Sequence, residues 1–371
     1  MSTDAKFAAD IAQGAGELLL EIRDAGMGTV DGRELGRRGD GAAHAFLAGR
    51  LAAERGDDAV LSEESADDSA RLSADRVWII DPLDGSKEYG LAGRTDWAVH
   101  VALWERDRGI TAAAVAQPAL GVVYDTENGD HDRDRLGAGA AHPRIVVSDS
   151  RPPAFTDAVA TDVGAEVVGM GSAGAKAMAV LRGEADAYVH AGGQWEWDSA
   201  APVGVAKAAG LHCSRIDGTP LLYNESHPYL PDLVICRPEL AEALLGALAR
   251  HALDTPDTGR VALARAYIDA LVSHDASKVR FAEGAWRVEN GQRTGDSGRF
   301  IRDELENGAQ YEAIHGVREA RFHEWGENVV ARYLLDVGAT PAESTAIHVT
   351  EYFAIPRAEI ASIVAIIEPH R

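Results

Sequence analysis

"WIIDPLDGSKEY" spans Trp78 to Tyr89 and opens on an apolar run that predicts a buried strand. Pro82 keeps Asp81 out of helical conformation. Asp81, Leu83 and Asp84 are therefore expected in a tight turn that aims two carboxylates and a main-chain carbonyl at one point. All-oxygen donors of this kind suit a hard cation such as Mg²⁺. Gly85 lets the backbone come close, and Ser86 is placed to cap a following helix. A helix N-terminus beside a metal favours phosphate. Taken alone, the same residues also fit an Asx turn with solvated carboxylates.

Three other stretches bear on that choice. "VLSEES" (Val60 to Ser65) reads as a strand ending in the pair Glu63 and Glu64. "QWEWDSAAP" (Gln194 to Pro202) puts Asp198 at the start of an Ala-rich helix, just after Glu196. "GMGSAGAKA" (Gly169 to Ala177) is a Gly/Ser loop that enters a helix bearing Lys176. Each has a plain structural alternative: a charged strand end, a helix cap and a simple turn.

The chain has 371 residues, too many for one ordinary core, so two domains are expected. Its net charge of −23 argues against a nucleic-acid polymer or an anionic membrane as partner. A small anionic substrate stays open if cations gather locally. Only five of the 36 cationic side chains are lysines, which singles out Lys87 and Lys176. No apolar run is long enough to span a membrane. The first 26 residues read as an amphipathic helix rather than an export signal. Cys213 and Cys236 form no C-x-x-C motif, so a cytoplasmic chain with two ordinary thiols is expected.

Strand and helix patterns alternate up to about Leu253, as in a layered α/β domain. Helices are expected over 4–25, 40–55, 174–183, 199–209 and 238–252. "DTPDTGR" (Asp254 to Arg260) reads as a linker. The organisation expected is a first domain over 1–253, a linker over 254–260 and a second domain over 261–371. The polar stretch from Asp125 to Pro143 is expected to be a long surface loop.

Taken together, the motifs resemble those of the magnesium-dependent, lithium-sensitive superfamily of inositol monophosphatase, fructose-1,6-bisphosphatase and 3'(2'),5'-bisphosphate nucleotidase. Its signature is an E-E pair, then D-P-[LI]-D-G-[TS], then W-D-x-A-A. Here these are Glu63-Glu64, Asp81 to Ser86, and Trp197 to Ala201. The resemblance covers roughly residues 5–250 and implies an α-β-α-β-α layered sandwich.

It also implies roles. Glu63, Asp81 and the Leu83 carbonyl would hold a first Mg²⁺. Asp81, Asp84 and Asp198 would hold a second, with Asp81 bridging. Glu63 would also touch a third, looser ion. Ser86 stands where the family has a threonine that orients the attacking water. Two cations roughly 4 Å apart would clamp the attacking and leaving oxygens. The family usually has an Asp on the helix before the E-E strand. In "RRGDGAAHAFL" that place falls to His44, with Asp40 one turn upstream. Either Asp40 takes over or the third ion is weak.

"DPLDGSKEY" resembles the bisphosphate-nucleotidase branch of sulfur assimilation more than the inositol branch. So do the stretches around Ser172, Lys176 and Glu196, and "DGTPLLYNESHPYLPDLVICRP". The implied reaction removes the 3'-phosphate of 3'-phosphoadenosine 5'-phosphate to give AMP. Gly85, Ser86, Lys87, Ser148, Ser172 and Lys176 would meet the substrate, with Glu196 lining the pocket. Inositol phosphate or fructose bisphosphate as substrate, and a metal-binding regulator without turnover, remain the alternatives.

From Arg260 onward an amphipathic helix precedes a short strand-like piece, a second helix and long alternating strands. This order resembles SnoaL-like, nuclear-transport-factor-2-like domains and implies a cone-shaped α+β unit. Such a unit binds a small molecule, hosts chemistry or dimerises through its sheet, and a homodimer is the expectation. Trp286, Asn290, His315, His323, Trp325 and His348 could line its cavity. A pocket with an isolated buried Asp–His or Tyr–Asp pair would favour chemistry, and a broad apolar sheet face would favour dimerisation.

Overall fold

A computed structural model describes residues 3–128, 142–225, 228–252, 259–340 and 343–369. The chain divides into two compact units, Met1–Asp254 and Thr255–Arg371. Residues 254–258 of the expected linker, and 129–141 of the expected surface loop, lie outside the described residues. Gly259 and Arg260 already belong to a helix.

The first unit opens with helix α1 (Asp4–Gly26), capped by the Thr3 hydroxyl and apolar along Ala8, Ile11, Ala12, Ala15 and Leu19. Helix α2 (Gly32–Glu54) follows behind the Asp31 cap. It starts eight residues before the expected 40, because Asp31 binds the N–H groups of Arg33 and Glu34 and extends it.

Both helices cover one face of a five-stranded sheet. Its strands are β1 (Ala59–Ser62), β2 (Arg76–Asp84), β3 (Ala98–Glu105), β4 (Gly109–Gln117) and β5 (Val122–Asp125), in that order. The β1–β2 pair is parallel and the rest are antiparallel. Short helix α3 (Ser86–Tyr89) follows β2.

A second sheet has the order β7-β6-β8-β10-β9. Its strands are β6 (Arg144–Ser148), β7 (Glu166–Met170), β8 (Ala187–Trp195), β9 (His212–Ser214) and β10 (Tyr229–Cys236). Helices α5 (Ala173–Leu181) and α6 (Glu196–Ala208) lie between the two sheets. Helices α4 (Thr156–Val163) and α7 (Pro238–His251) cover the far face of the second. Helix α5 is buried all round, as a helix between two sheets must be.

The second unit has helix α8 (Gly259–Ser273), strands β11 (Phe281–Glu289) and β12 (Gln292–Gly295), and helix α9 (Gly298–Asn307). Long strands β13 (Ile314–Trp325), β14 (Asn328–Val337), β15 (Thr345–Ala354) and β16 (Ile360–Pro369) complete it. The sheet order is β12-β11-β16-β15-β14-β13, antiparallel except for β11–β16. Alternate residues of β14 and β15, such as Val329, Ala331, Tyr333, Val349 and Phe353, pack against α8 in one core. Among the described residues, no helix is long and apolar enough to cross a membrane.

Candidate active site

Strand β2 does not end in a turn at Pro82. It runs on to Asp84 with a bulge. Asp81 pairs with His100 and Asp84 with Ala98, so three steps on β2 face two on β3. Pro82 has no N–H to give the ladder and sits where the ladder is interrupted. The bulge turns Asp81 and Asp84 toward the same side. Gly85 then breaks the strand at φ +87°, where a Cβ would meet the Asp96 carbonyl and the Ser172 Cβ, both at 3.1 Å.

Asp198 comes from the third position of α6, and its carboxylate accepts from the Trp195 N–H at 2.6 Å. Asp81, Asp84 and Asp198 each offer an oxygen, and these atoms lie within 4.8 Å of one another. Asp81 also accepts from the Leu83 N–H at 3.0 Å. The Ser86 hydroxyl lies 3.1 Å from the Leu83 carbonyl and 3.3 Å from Asp40 Oδ1.

Asp84 is the most firmly held of the three. It accepts from the Ser172 hydroxyl at 2.5 Å and from the N–H groups of Ala173 (3.1 Å) and Gly174 (2.7 Å) at the start of α5. His100 Nε2 lies 3.2 Å away. Ser172 adopts φ +51° to make these contacts, a rare conformation for a residue with a side chain.

The electrostatics suit a bound cation. Burial, followed by the charges of Glu63, Asp84 and Asp198, pushes the Asp81 carboxyl well up. Burial and the same neighbours push Asp198 up to about 7. Glu63, one residue past the end of β1, is exposed, yet its carboxyl lies among neighbouring groups that desolvate it. That desolvation, then Asp40, Asp84 and Glu64, pushes it up to about 7. Asp40 reaches about 7 through burial and the charge of Glu64. Asp84 alone goes down: burial opposes its ionisation, but His100, Ser172 and Lys176 outweigh that. Carboxylates this close cannot all ionise without a positive charge among them. All-oxygen donors and unbalanced negative charge fit a hard divalent cation.

The structure separates the expected residues into two groups. Glu63, Asp81, Leu83, Asp84, Asp198, Asp40, Gly85, Ser86 and Ser172 gather around the acids. Asp40 lies beside Ser86, whereas His44, at the family's Asp position, has its Nδ1 3.1 Å from the Ser62 hydroxyl at the end of β1. Lys87 is largely exposed, 3.8 Å from Glu88. Ser148, at the end of β6, lies 3.3 Å from the Ser150 hydroxyl and accepts from the Arg151 N–H at 3.2 Å.

Two expected contacts point inward instead. Lys176 is buried, and its ammonium donates to the carbonyls of Ser172 (2.6 Å), Gly171 (3.3 Å) and Met170 (3.5 Å). It braces the loop that holds Asp84. Glu196 is buried and accepts from the N–H groups of Asn224 (2.6 Å) and Glu225 (2.9 Å), pinning that loop to α6. Lys176→Met is therefore expected to lower kcat/KM by the same factor for mono- and bisphosphate substrates. Its stability loss is expected at about 1–3 kcal/mol, the cost of orphaned buried carbonyls. A calorimetric melt with kinetics on both substrates checks this. A selective rise in KM for the bisphosphate would return Lys176 to the substrate.

In the second unit, Asn290 and His315 bond backbone at strand ends. Trp325 packs on Tyr352 with ring centroids 5.4 Å apart, and His348 is exposed. The buried polar group lies elsewhere. Arg287 donates to Tyr267 and Tyr311, and Tyr333 donates to Glu351 at 2.7 Å. Burial pushes Glu351 up to about 7.

The sequence profile of the inositol monophosphatase family matches residues 1–253, more than half of the chain. The chain belongs to the inositol monophosphatase family. Among the family's curated members, a 3'-phosphoadenosine 5'-phosphate phosphatase of Mycobacterium leprae is 54% identical over 260 residues. That match takes in 66% of this chain and 93% of the relative. A protein of the same name from Mycobacterium bovis is 55% identical over 246 residues, 63% of this chain and 89% of its own. Of solved structures, CysQ from Bacteroides thetaiotaomicron, described as a bacterial member of this family, is 26% identical with a TM-score of 0.54. It spans 63% of this chain and 97% of its own. Residues 255–367 match a domain of unknown function, DUF8021.

Proposed function

We propose that the chain is a Mg²⁺-dependent phosphomonoesterase that removes the 3'-phosphate of 3'-phosphoadenosine 5'-phosphate, giving AMP and phosphate. The carrying observation is the set Asp81, Asp84 and Asp198, gathered within 4.8 Å from two motifs far apart in sequence. Relatives at 54–55% identity that bear this activity in their names support the substrate.

Glu63, Asp81, Asp84, Asp198 and the Leu83 carbonyl are assigned to hold two Mg²⁺, with Glu63 and Asp40 nearest a third. Bound there, the ions would supply Lewis-acid charge to the phosphoryl oxygens and lower the pKa of the attacking water. Ser86 has one hydroxyl proton and two acceptors beside it, so a lone pair remains to orient a water O–H. Asp40, 3.3 Å from the Ser86 hydroxyl, takes the proton of that water. Oxygen attacks phosphorus in line, and the bond to the ribose 3'-oxygen breaks. The proton ends on the alcohol, and no phosphoenzyme forms. Gly85 lets the Ser172 loop and the Asp96 carbonyl pack close behind the acids, and Lys87 offers charge at the rim.

A substrate panel tests this reading. Purified protein with Mg²⁺ is offered 3'-phosphoadenosine 5'-phosphate, inositol monophosphate and fructose-1,6-bisphosphate. The bisphosphonucleotide is expected to have the highest kcat/KM by at least about tenfold. A higher value for either sugar phosphate would move the chain to another branch. Release from none would favour a non-catalytic metal-binding regulator.

The second unit is assigned a SnoaL-like, cone-shaped fold. One six-stranded sheet with helices packed against it supports this assignment. None of the acids above lies beyond Asp198. A chain ended at Asp254 is therefore expected to keep kcat/KM within about threefold of full length. Sizing is expected to show self-association only with the second unit present. An inactive truncated form would mean that the second unit completes the site.

A further inference from the structure

The ligand acids reach the site from two separate places, the bulged end of β2 and the first turn of α6. Asp84 is anchored to α5, and Asp198 to the Trp195 N–H of its own segment. Some other contact must set the distance between the two. Strand β3 brings one side chain into that gap. His100 is opposite Asp81 in register, and its ring has no exposed surface. Its Nε2 lies 3.2 Å from Asp84 Oδ2, and its Nδ1 lies 4.0 Å from Asp81 Oδ2. The same Nδ1 is 3.1 Å from the main-chain oxygen of Trp197, whose peptide leads directly into Asp198.

A third element is shaped around this ring. A Cβ on Gly174 would lie 2.1 Å from His100 Nε2 and 3.1 Å from both neighbouring ring carbons. The imidazole therefore occupies the space where a side chain at 174 would sit. This lets the Gly174 N–H come within 2.7 Å of Asp84 Oδ2. Asp84 keeps three other donors, so His100 is not needed merely to hold that carboxylate. Its distinctive contribution is to touch both the Asp84 carboxylate and the start of α6.

We propose that His100 is a positioning residue, the tie that sets the spacing between the Asp81–Asp84 turn and Asp198. The inference rests on the reading of these acids as a metal site. Partners that orient metal ligands from behind typically change affinity by about 10–100-fold when removed.

Three variants of the full-length protein separate this role from packing. His100→Asn puts an amide near the Nδ1 place and retains the bond to Trp197. His100→Gln puts one near Nε2 and retains the approach to Asp84. His100→Leu fills the space and makes neither. Calorimetric titration of metal-free protein with Mg²⁺ is the first readout, with melting temperature and the split between kcat and KM alongside. His100→Leu is expected to weaken Mg²⁺ binding at least about tenfold, with Asn and Gln in between. At saturating Mg²⁺, kcat falls while KM for the nucleotide stays within about twofold.

Wild-type Mg²⁺ affinity in the variants, with only the melting temperature changed, would overturn the tie and leave a packing role. If His100→Leu does not fold, unchanged affinity in both Asn and Gln overturns it equally. A wild-type protein that takes up no Mg²⁺ overturns the metal reading and the tie together. Binding by wild type with unaltered variants overturns the tie alone.

Discussion

Asp198→Asn is expected to lower Mg²⁺-dependent phosphate release by at least about a thousandfold, close to 4 kcal/mol in the barrier. The substitution keeps size and shape, and the amide oxygen can still accept from the Trp195 N–H. The loss is therefore one of charge. Asp198 is one of three acids whose oxygens lie within 4.8 Å, and an amide is a poor partner for a hard cation. Melting temperature without metal is expected to stay level or rise, because one like charge leaves a crowded, buried cluster. Retention of more than about a tenth of the activity would remove Asp198 from the reacting centre.

Chelation by EDTA is expected to abolish activity, and added Mg²⁺ to raise the melting temperature more at pH 8 than at pH 5.5. The sign follows from the carboxyls. Asp40, Glu63 and Asp198 are each pushed up to about 7, far above their values in an unfolded chain. Between roughly pH 4 and 7 the folded, metal-free protein holds protons that the unfolded chain has released. Stability without metal therefore falls as pH rises through that window. Below it, protons and Mg²⁺ compete for the same oxygens. Above it, the acids are free to bind. At a hundredfold excess over Kd, binding contributes about 2.7 kcal/mol. In a unit of this size that is about 5–10 °C. Scanning calorimetry at both pH values checks the trend. A larger Mg²⁺ shift at pH 5.5 would contradict it.

Local sequence was informative wherever chemistry was concentrated in a short stretch. Asp81, Leu83, Asp84 and Gly85 lie within five residues, and a strand, proline and glycine determine where they point. The bulge was harder to foresee, because it depends on the pairing of β2 with β3. Layering was legible from alternating strand and helix patterns. The early start of α2 was missed because its first turn is polar and its cap, Asp31, lies nine residues before the expected helix.

Residues whose roles depend on distant partners were the illegible ones. A scarce lysine in a Gly/Ser loop invited a phosphate contact, yet its partners are the carbonyls four to six residues behind it. Glu196 looked like a pocket acid and is instead bound by a loop near residue 224. His100 carried no local signal, being one polar residue in an apolar strand. Its meaning comes from Asp84, Gly174 and Trp197, which only the fold brings together. The polar group around Arg287 and Glu351 was likewise scattered over three strands, helix α8 and the segment before β13.

The identity of the phosphate removed is the most direct test of the assignment. Phosphorus NMR of 3'-phosphoadenosine 5'-phosphate with the protein and Mg²⁺ follows both phosphates at once. The 3' resonance is expected to vanish as inorganic phosphate appears, with the 5' resonance intact and no change in EDTA. Loss of the 5'-phosphate first, or turnover that survives EDTA, would contradict a metal-dependent 3'-phosphatase.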